Sequence, residues 1–229
     1  MAAPVAEYRR STIEVLNMTN FIPIFPLNLV VYPGEQLNLH IFEPRYKQLI
    51  RECVEKQKPF GIPSVIDNRI CDMGTLAEVV EVVNTNDKGE MDIRTRASSV
   101  FKILEMIPEI PDKLYNGAIV TYPTNITHGN ARLMKKVVDG MRALHKNLGV
   151  SKEFKKPDEQ LVSYDVAHHI GLSLADEYRV LEYLNELHRQ EFLKRHIAKV
   201  LPIMEQMDWL KNKIKLNGHF RELPGFNIK

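Results

Sequence analysis

Residues 25–46 read FPLNLVVYPGEQLNLHIFEPRY, and this stretch decides the fold. Pro26 and Pro33 lack an amide donor, so the apolar runs beside them must end there or lie at a sheet edge. Pro33-Gly34 is a turn: proline presets φ and glycine admits a positive one. Leu37, Leu39 and Ile41 alternate with Asn38, His40 and Phe42, the period of a half-buried strand. Pro44 forces Glu43 out of helical space and suits the first turn of a helix. Tyr46, Leu49, Ile50, Cys53 and Val54 then follow at helical spacing. Glu43 and Arg45 are expected to form a buried or half-buried charged pair where strand meets helix, with Tyr46 packed beneath.

Working outward, FIPIFPL (21–27), LNLVVYP (27–33), FGIPSVI (60–66) and TLAEVVEVV (75–83) read as strands. NTNDKGE (84–90) is turn-rich and leads into MDIRTR (91–96), VFKILEMI (100–107) and GAIVTY (117–122). Six or seven short strands with a single early helix predict a small barrel or sandwich, because no helix alternates with the strands. After Pro123 the period becomes helical. Helices are predicted over about 130–148, stopping at Gly149, over 161–170, from a cap at Ser173, and along a last stripe from Phe192 to beyond Met207 with Pro202 inside it. The expected layout is an extension over 1–20, a β subdomain over 21–122, and a helical subdomain over 123–229 that ends in an irregular tail.

Composition narrows the function. The chain has 229 residues, 44% hydrophobic and 26% charged, the balance of a globular protein with a sizeable core. Net charge is +2, too mild by itself to imply nucleic acid. Residues 1–122 hold 13 Lys/Arg against 16 Asp/Glu, and residues 123–229 hold 18 against 13, which reads as a solvated helical surface. Cys53 and Cys71 stand in no Cys-x-x-Cys or Cys/His pattern. No signal-peptide core or membrane-length apolar run is present, so a cytoplasmic protein is expected.

Catalytic patterns fail one by one. There is no Gly-Lys dipeptide, no G-x-G-x-x-G and no G-x-S-x-G. Ser99-Val-Phe-Lys102 matches S-x-x-K but lies in a strand pattern, where positions three apart face opposite sides. Asp165 with His168-His169, His188 with His196, and His40 with Glu43 are each incomplete as metal sets. No cofactor is expected. Arg94, Arg96 and Lys102 near Phe101 give a weak RNA-binding pattern.

The motif Pro23-Ile24-Phe25-Pro26-Leu27, Val30, Pro33-Gly34, Leu37, Leu39 and Ile41-Phe42-Glu43-Pro44-Arg45-Tyr46 resembles the amino-terminal domain family of Lon proteases. Phe60-Gly61, Gly74-Thr75-Leu76-Ala77-Glu78-Val79 and Val100-Phe101-Lys102-Ile103 continue the likeness, which weakens toward residue 205. The resemblance implies an α+β protein: a PUA-like β pseudo-barrel of about six strands with one inserted helix, then a helical bundle with a long last helix. It implies a stand-alone bacterial member without ATPase or peptidase domains, and a non-catalytic role in binding peptide, unfolded protein segments or a protein partner, such as a protease or chaperone system. The alternatives are a nucleic-acid-binding module and a small-molecule sensor. Candidate exposed binding residues are Tyr32, Met73, Met91, Met106 and Trp209. Pro26, Pro33, Gly34, Phe42, Glu43, Pro44, Arg45, Tyr46 and Gly74 are expected to be architectural.

Overall fold

The computed structural model describes residues 20–220, and the side chains of residue 205 and of residues 207–220 fall outside that description. The expected extension therefore lies outside the described residues except for Asn20, as does the tail from residue 221 on. The protein is α+β and divides into two compact units. One runs to Ile126 and includes Ser173–Leu184; the other comprises Thr127–Leu172 and the chain from Asn185 on.

The first unit is a six-stranded antiparallel sheet: β1 (Asn20–Pro23), β2 (Gln36–Ile41), β3 (Phe60–Ile66), β4 (Arg69–Thr85), β5 (Met91–Ile107) and β6 (Gly117–Thr121). Helix α1 (Pro44–Lys56) is inserted between β2 and β3. The strand order is β1-β6-β5-β4-β3, with β2 also on β5. MDIRTR and VFKILEMI prove to be one strand, β5. Its first part pairs with β2 and its last part with β6 along the same edge. Between them, Ala97 keeps the chain extended by bonding Glu35 O (2.8 Å) and Gly34 N (3.0 Å).

The sheet closes on itself just after β1. Phe25 N donates to Gly61 O (2.8 Å) and Val65 N to Leu27 O (2.8 Å), with parallel bridges joining Ile24 to Gly61 and Leu27 to Ser64. Beyond Leu27 the expected strand LNLVVYP does not form. Val30, Val31 and Tyr32 are buried as irregular chain instead. Thr75 Oγ1 meets Val31 O at 2.5 Å, so a side chain takes the place of a ladder bond.

Closure brings backbones very near the Phe101 ring, which is fully buried. A Cβ at Gly61 would meet Phe101 and Ile22 at under 3 Å. A Cβ at Gly74 would run into Ile62 O, Pro63 Cα and the same ring. The larger core gathers Phe25, Ile41, Phe60, Ile62, Met91 and Ile93 around the apolar face of α1, namely Tyr46, Leu49, Ile50 and Cys53. Helix α1 starts at Pro44 behind an extended Glu43 and ends at a left-handed Gln57, φ 50°.

The unit boundary differs from the sequence expectation. Helices after Leu172 do not all belong to the helical unit, since α4 (defined below) returns to the β side. In the helical unit, α2 (Ala131–Leu148) is capped by Asn130 Oδ1 on Leu133 N (3.0 Å) and stops at Gly149, φ 67°. The short α3 (Ser163–Val166) runs into a 3-10 turn, Ala167–His169. Helix α4 (Leu174–Glu182) is capped by Ser173 Oγ, which accepts from Asp176 N at 3.1 Å. It is tied to the β unit because Tyr32 donates its hydroxyl to Glu177 O (2.8 Å) and Tyr178 OH accepts from Met73 N (3.0 Å). Helix α5 (Glu186–Phe220) runs on through Asn217 and Gly218, where an irregular tail was expected. Gly140 lets α5 approach α2, since a Cβ there would meet Ile197 Cγ2 at 2.6 Å.

Two outcomes follow. Gly74→Ala forces a methyl between backbone and a buried ring, so urea unfolding should show a loss of about 1–3 kcal/mol; an unchanged midpoint would show that the barrel relaxes freely. Glu52 on α1 accepts from Lys113 Nζ (2.7 Å), Tyr115 OH (3.0 Å) and Lys56 Nζ (3.2 Å). The Lys113 bond foremost holds its carboxyl down, from 4.5 to about 2. A carboxyl depressed in the fold contributes stability that is present above its unfolded pKa and is lost as pH falls through about 2. Melting curves across this acid range should therefore fall less steeply for Glu52→Gln than for the parent. A constant offset between the two at every pH would disprove the linkage.

Candidate functional site

Three of the residues expected at an exposed site are core. Tyr32 is 0% exposed, and Met73 and Met91 are also buried. Tyr32 spans from the barrel to α4, Met73 lies where α4 docks, and Met91 faces α1, so burial follows from closure and from the docked helix. Met106 is half-buried against the smaller core of Ile22, Ile24 and Phe101. Trp209 lies on the α5 backbone, with its side chain outside the described set.

The Glu43–Arg45 pair forms, with Arg45 Nη2 2.7 Å from Glu43 Oε2; Glu43 is half-buried and Arg45 is exposed. The pair sits at the rim because Tyr46 takes the inward position of that turn. Tyr46 is buried, its ring 4.0 Å from that of Phe25, and the Arg45 guanidinium lies 4.6 Å above it. Burial pushes the Tyr46 phenol up. Phe42 is 58% exposed and stacks on His40 at 6.0 Å.

One exposed apolar stretch lies within the predicted strand TLAEVVEVV. Val80 is 51% exposed, Val82 38% and Val83 55%. All three belong to β4, beyond the part that pairs with β3. The β3–β4 ladder starts at Phe60 opposite Ala77, because the chain is still leaving α1 at Gln57 and then passes Pro59. From residue 78 to residue 85, β4 is hydrogen-bonded to β5 alone among the described residues. Register shifts at Val80 and Val83 bulge this edge. A groove of about 360 Å³ separates the edge from the end of α1, lined by Cys53, Val54, Gln57 and Lys58 on one side and by residues 78–82 on the other. Burial, above all, pushes the Cys53 thiol up to about 12, so the groove holds no thiolate nucleophile.

The helical unit holds a larger hollow, about 640 Å³, at the start of α2. Its deepest polar lining groups are engaged with one another. Glu186 Oε1 accepts from Ser163 N and Oγ (both 2.9 Å) and from Gln190 Nε2 (3.2 Å), while Glu186 Oε2 binds Arg189 Nε (2.9 Å). Gln190 Oε1 accepts from Asn130 N (3.0 Å), and Arg189 donates to Tyr164 OH (3.0 Å) and lies 4.2 Å over its ring. These groups are committed to holding the helices together, which leaves the hollow without a buried group to orient a ligand.

The other sequence candidates do not assemble. Among the described residues, no three His, Cys, Asp or Glu stand together as a metal set. Phe101 is buried and Arg94 is paired with Glu81 at 2.5 Å, so β5 presents no stacking face for bases. No described helix is long and apolar enough to cross a membrane.

Residues 22–199 match the family model of the ATP-dependent protease La (LON) substrate-binding domain. The chain belongs to the Lon substrate-binding domain family. The Lon N-terminal domain protein from Xanthomonas campestris is 21% identical, with a TM-score of 0.57 over 76% of this chain and 96% of that one. The N-terminal domain of a Mycobacterium avium complex Lon protease is 13% identical, with a TM-score of 0.57 over 78% of this chain and 98% of that one. At these identities the likeness shows that the Lon N-terminal fold is shared. Within it, residues 23–46 run from the sheet closure through β2 to the start of α1, and Phe25, Val31, Ile41 and Tyr46 of this stretch are buried in the larger core.

The buried charge network gives a sharp outcome. Arg189→Met strands Glu186 in the interior. Removing one partner of a buried pair costs about 3–5 kcal/mol, and chemical denaturation should register a loss of that size. A change near zero would mean that water reaches Glu186.

Proposed function

We propose that this chain is a non-catalytic recognition module that binds extended, unfolded segments of other proteins. One observation carries the reading: the valine-rich edge of β4 beside the α1 groove, which has no strand partner among the described residues. A free edge offers a row of backbone donors and acceptors to any extended chain, and adjacent pockets take alternate side chains. A folded protein hides its own backbone in ladders and helices, so such an edge selects for unfolded clients. Membership of a family described as a substrate-binding domain supports this. In this reading the chain works in the cytoplasm, uses no cofactor, and presents clients to a protease or chaperone system. Nucleic-acid binding is the weaker alternative, because the aromatic of the basic strand is inside the core.

The test is retention of one model protein in two states, native and reduced-and-alkylated, on the immobilised full chain. The unfolded form should be retained and the native form should pass through. Equal passage of both removes the proposal.

A further inference from the structure

The β4 edge has chemistry beyond being free. Residues on β4 share a face with their β5 partners, and this sorts the edge into two sides. Val79 and Val82 stand opposite Thr95 and Ile93, which are buried, so they look toward the core side and the α1 groove. Glu78 and Glu81 stand opposite Arg96 and Arg94, which are exposed, so they look outward. The outer face therefore carries a basic row on β5 and an acidic row on β4, and β4 is the outermost strand there. The next row that continues this alternation is basic.

The other edge of this three-stranded region, that of β2, which is also unpaired among the described residues, differs. Its exposed residues are Gln36, Asn38 and His40, which carry neither the valines nor the acidic row of the β4 edge. Self-pairing of two β4 edges is disfavoured, since it would set Glu78 and Glu81 of one copy against those of the other.

We infer that residues 78–85 accept an extended polypeptide as an added strand, lying in line with β3 on the far side of Pro59. Its apolar side chains point at alternate positions into the groove, against Val54, Val79 and Val82. Its intervening positions are lysine or arginine, facing Glu78 and Glu81. This rests on the recognition reading above and specifies its site and its client: a cationic, β-prone unfolded segment. Lys58, at the groove end nearest β3, disfavours a cation at the matching terminal position.

The experiment uses the full chain and fluorescein-labelled nine-residue peptides. One alternates valine with lysine, one alternates valine with glutamate, and one is the lysine peptide N-methylated on every second amide. Anisotropy gives affinity, and amide hydrogen exchange gives location. The lysine peptide should bind best and slow exchange at residues 78–85. N-methylation removes pairing donors and should weaken it by on the order of tenfold, the worth of one or two hydrogen bonds. Glu78→Lys lies on an exposed position, leaves the fold intact by circular dichroism, and should shift preference toward the glutamate peptide. Val82→Asp should weaken both peptides.

Several outcomes overturn the inference. One is peptide binding with no protection at residues 78–85, or with no response to N-methylation. Another is protection there without peptide: if it grows with chain concentration a second copy occupies the edge, and if it does not the chain's own residues do. Unfolded protein retained while these peptides protect nothing sinks the strand-addition mode alone. If neither unfolded protein nor peptide binds, the recognition reading falls as well.

Discussion

The buried ring of Phe101 lies against two glycine backbones, Gly61 and Gly74, and barrel closure depends on that approach. Gly61 sits on β3 where the chain after β1 bonds back, and Gly74 sits on β4 opposite Phe101 itself. A methyl at either position would hold strands and ring apart. With both absent, β1, β3, β4 and β5 converge on one ring. The turn at Pro33-Gly34 can then reach Ala97, which keeps β5 continuous between its two partners. Packing at this density leaves little room for accommodation elsewhere.

The same continuity produces the exposed edge. The β4–β5 ladder runs from Met73–Lys102 to Thr85–Met91, far longer than β3 can match. α1 occupies the chain just before β3, and Pro59 has no amide to offer. Among the described residues the surplus of β4 has β5 as its one partner, and Val80, Val82 and Val83, which a longer β3 would have covered, are exposed. Edges of this kind are usually blunted by charge or bulges. Here two bulges and two glutamates are present, yet Val80, Val82 and Val83 remain exposed.

Much of the fold was legible because its signals are local. Pro44 at the start of α1, the positive φ at Gly34, Gly149 at the end of α2, and Ser173 capping α4 are all fixed within a few residues. The candidate site was not legible. A run such as TLAEVVEVV announces a strand but says nothing of how many neighbours the strand has, and burial depends on that number. Tyr32, Met73 and Met91 were candidates by residue type, yet long-range contacts with α4 and α1 put them inside. Glu43 and Arg45 met as their spacing implied, but their exposure depended on which residue of the turn faced inward, and Tyr46 took that place.

The sequence alone determined most of the element types, the family and the joint between sheet and helix, because turn residues, caps and hydrophobic period act over a few positions. Only the tertiary structure decided that α4 belongs with the β unit, that two predicted strands are one, and that β4 outruns β3. Each of those depends on hydrogen bonds between residues far apart in the chain, such as Tyr32 with Glu177 or Ala97 with Gly34. No local pattern records such a pairing, and the β4 edge left without a strand partner among the described residues is visible only once the other strands have found theirs.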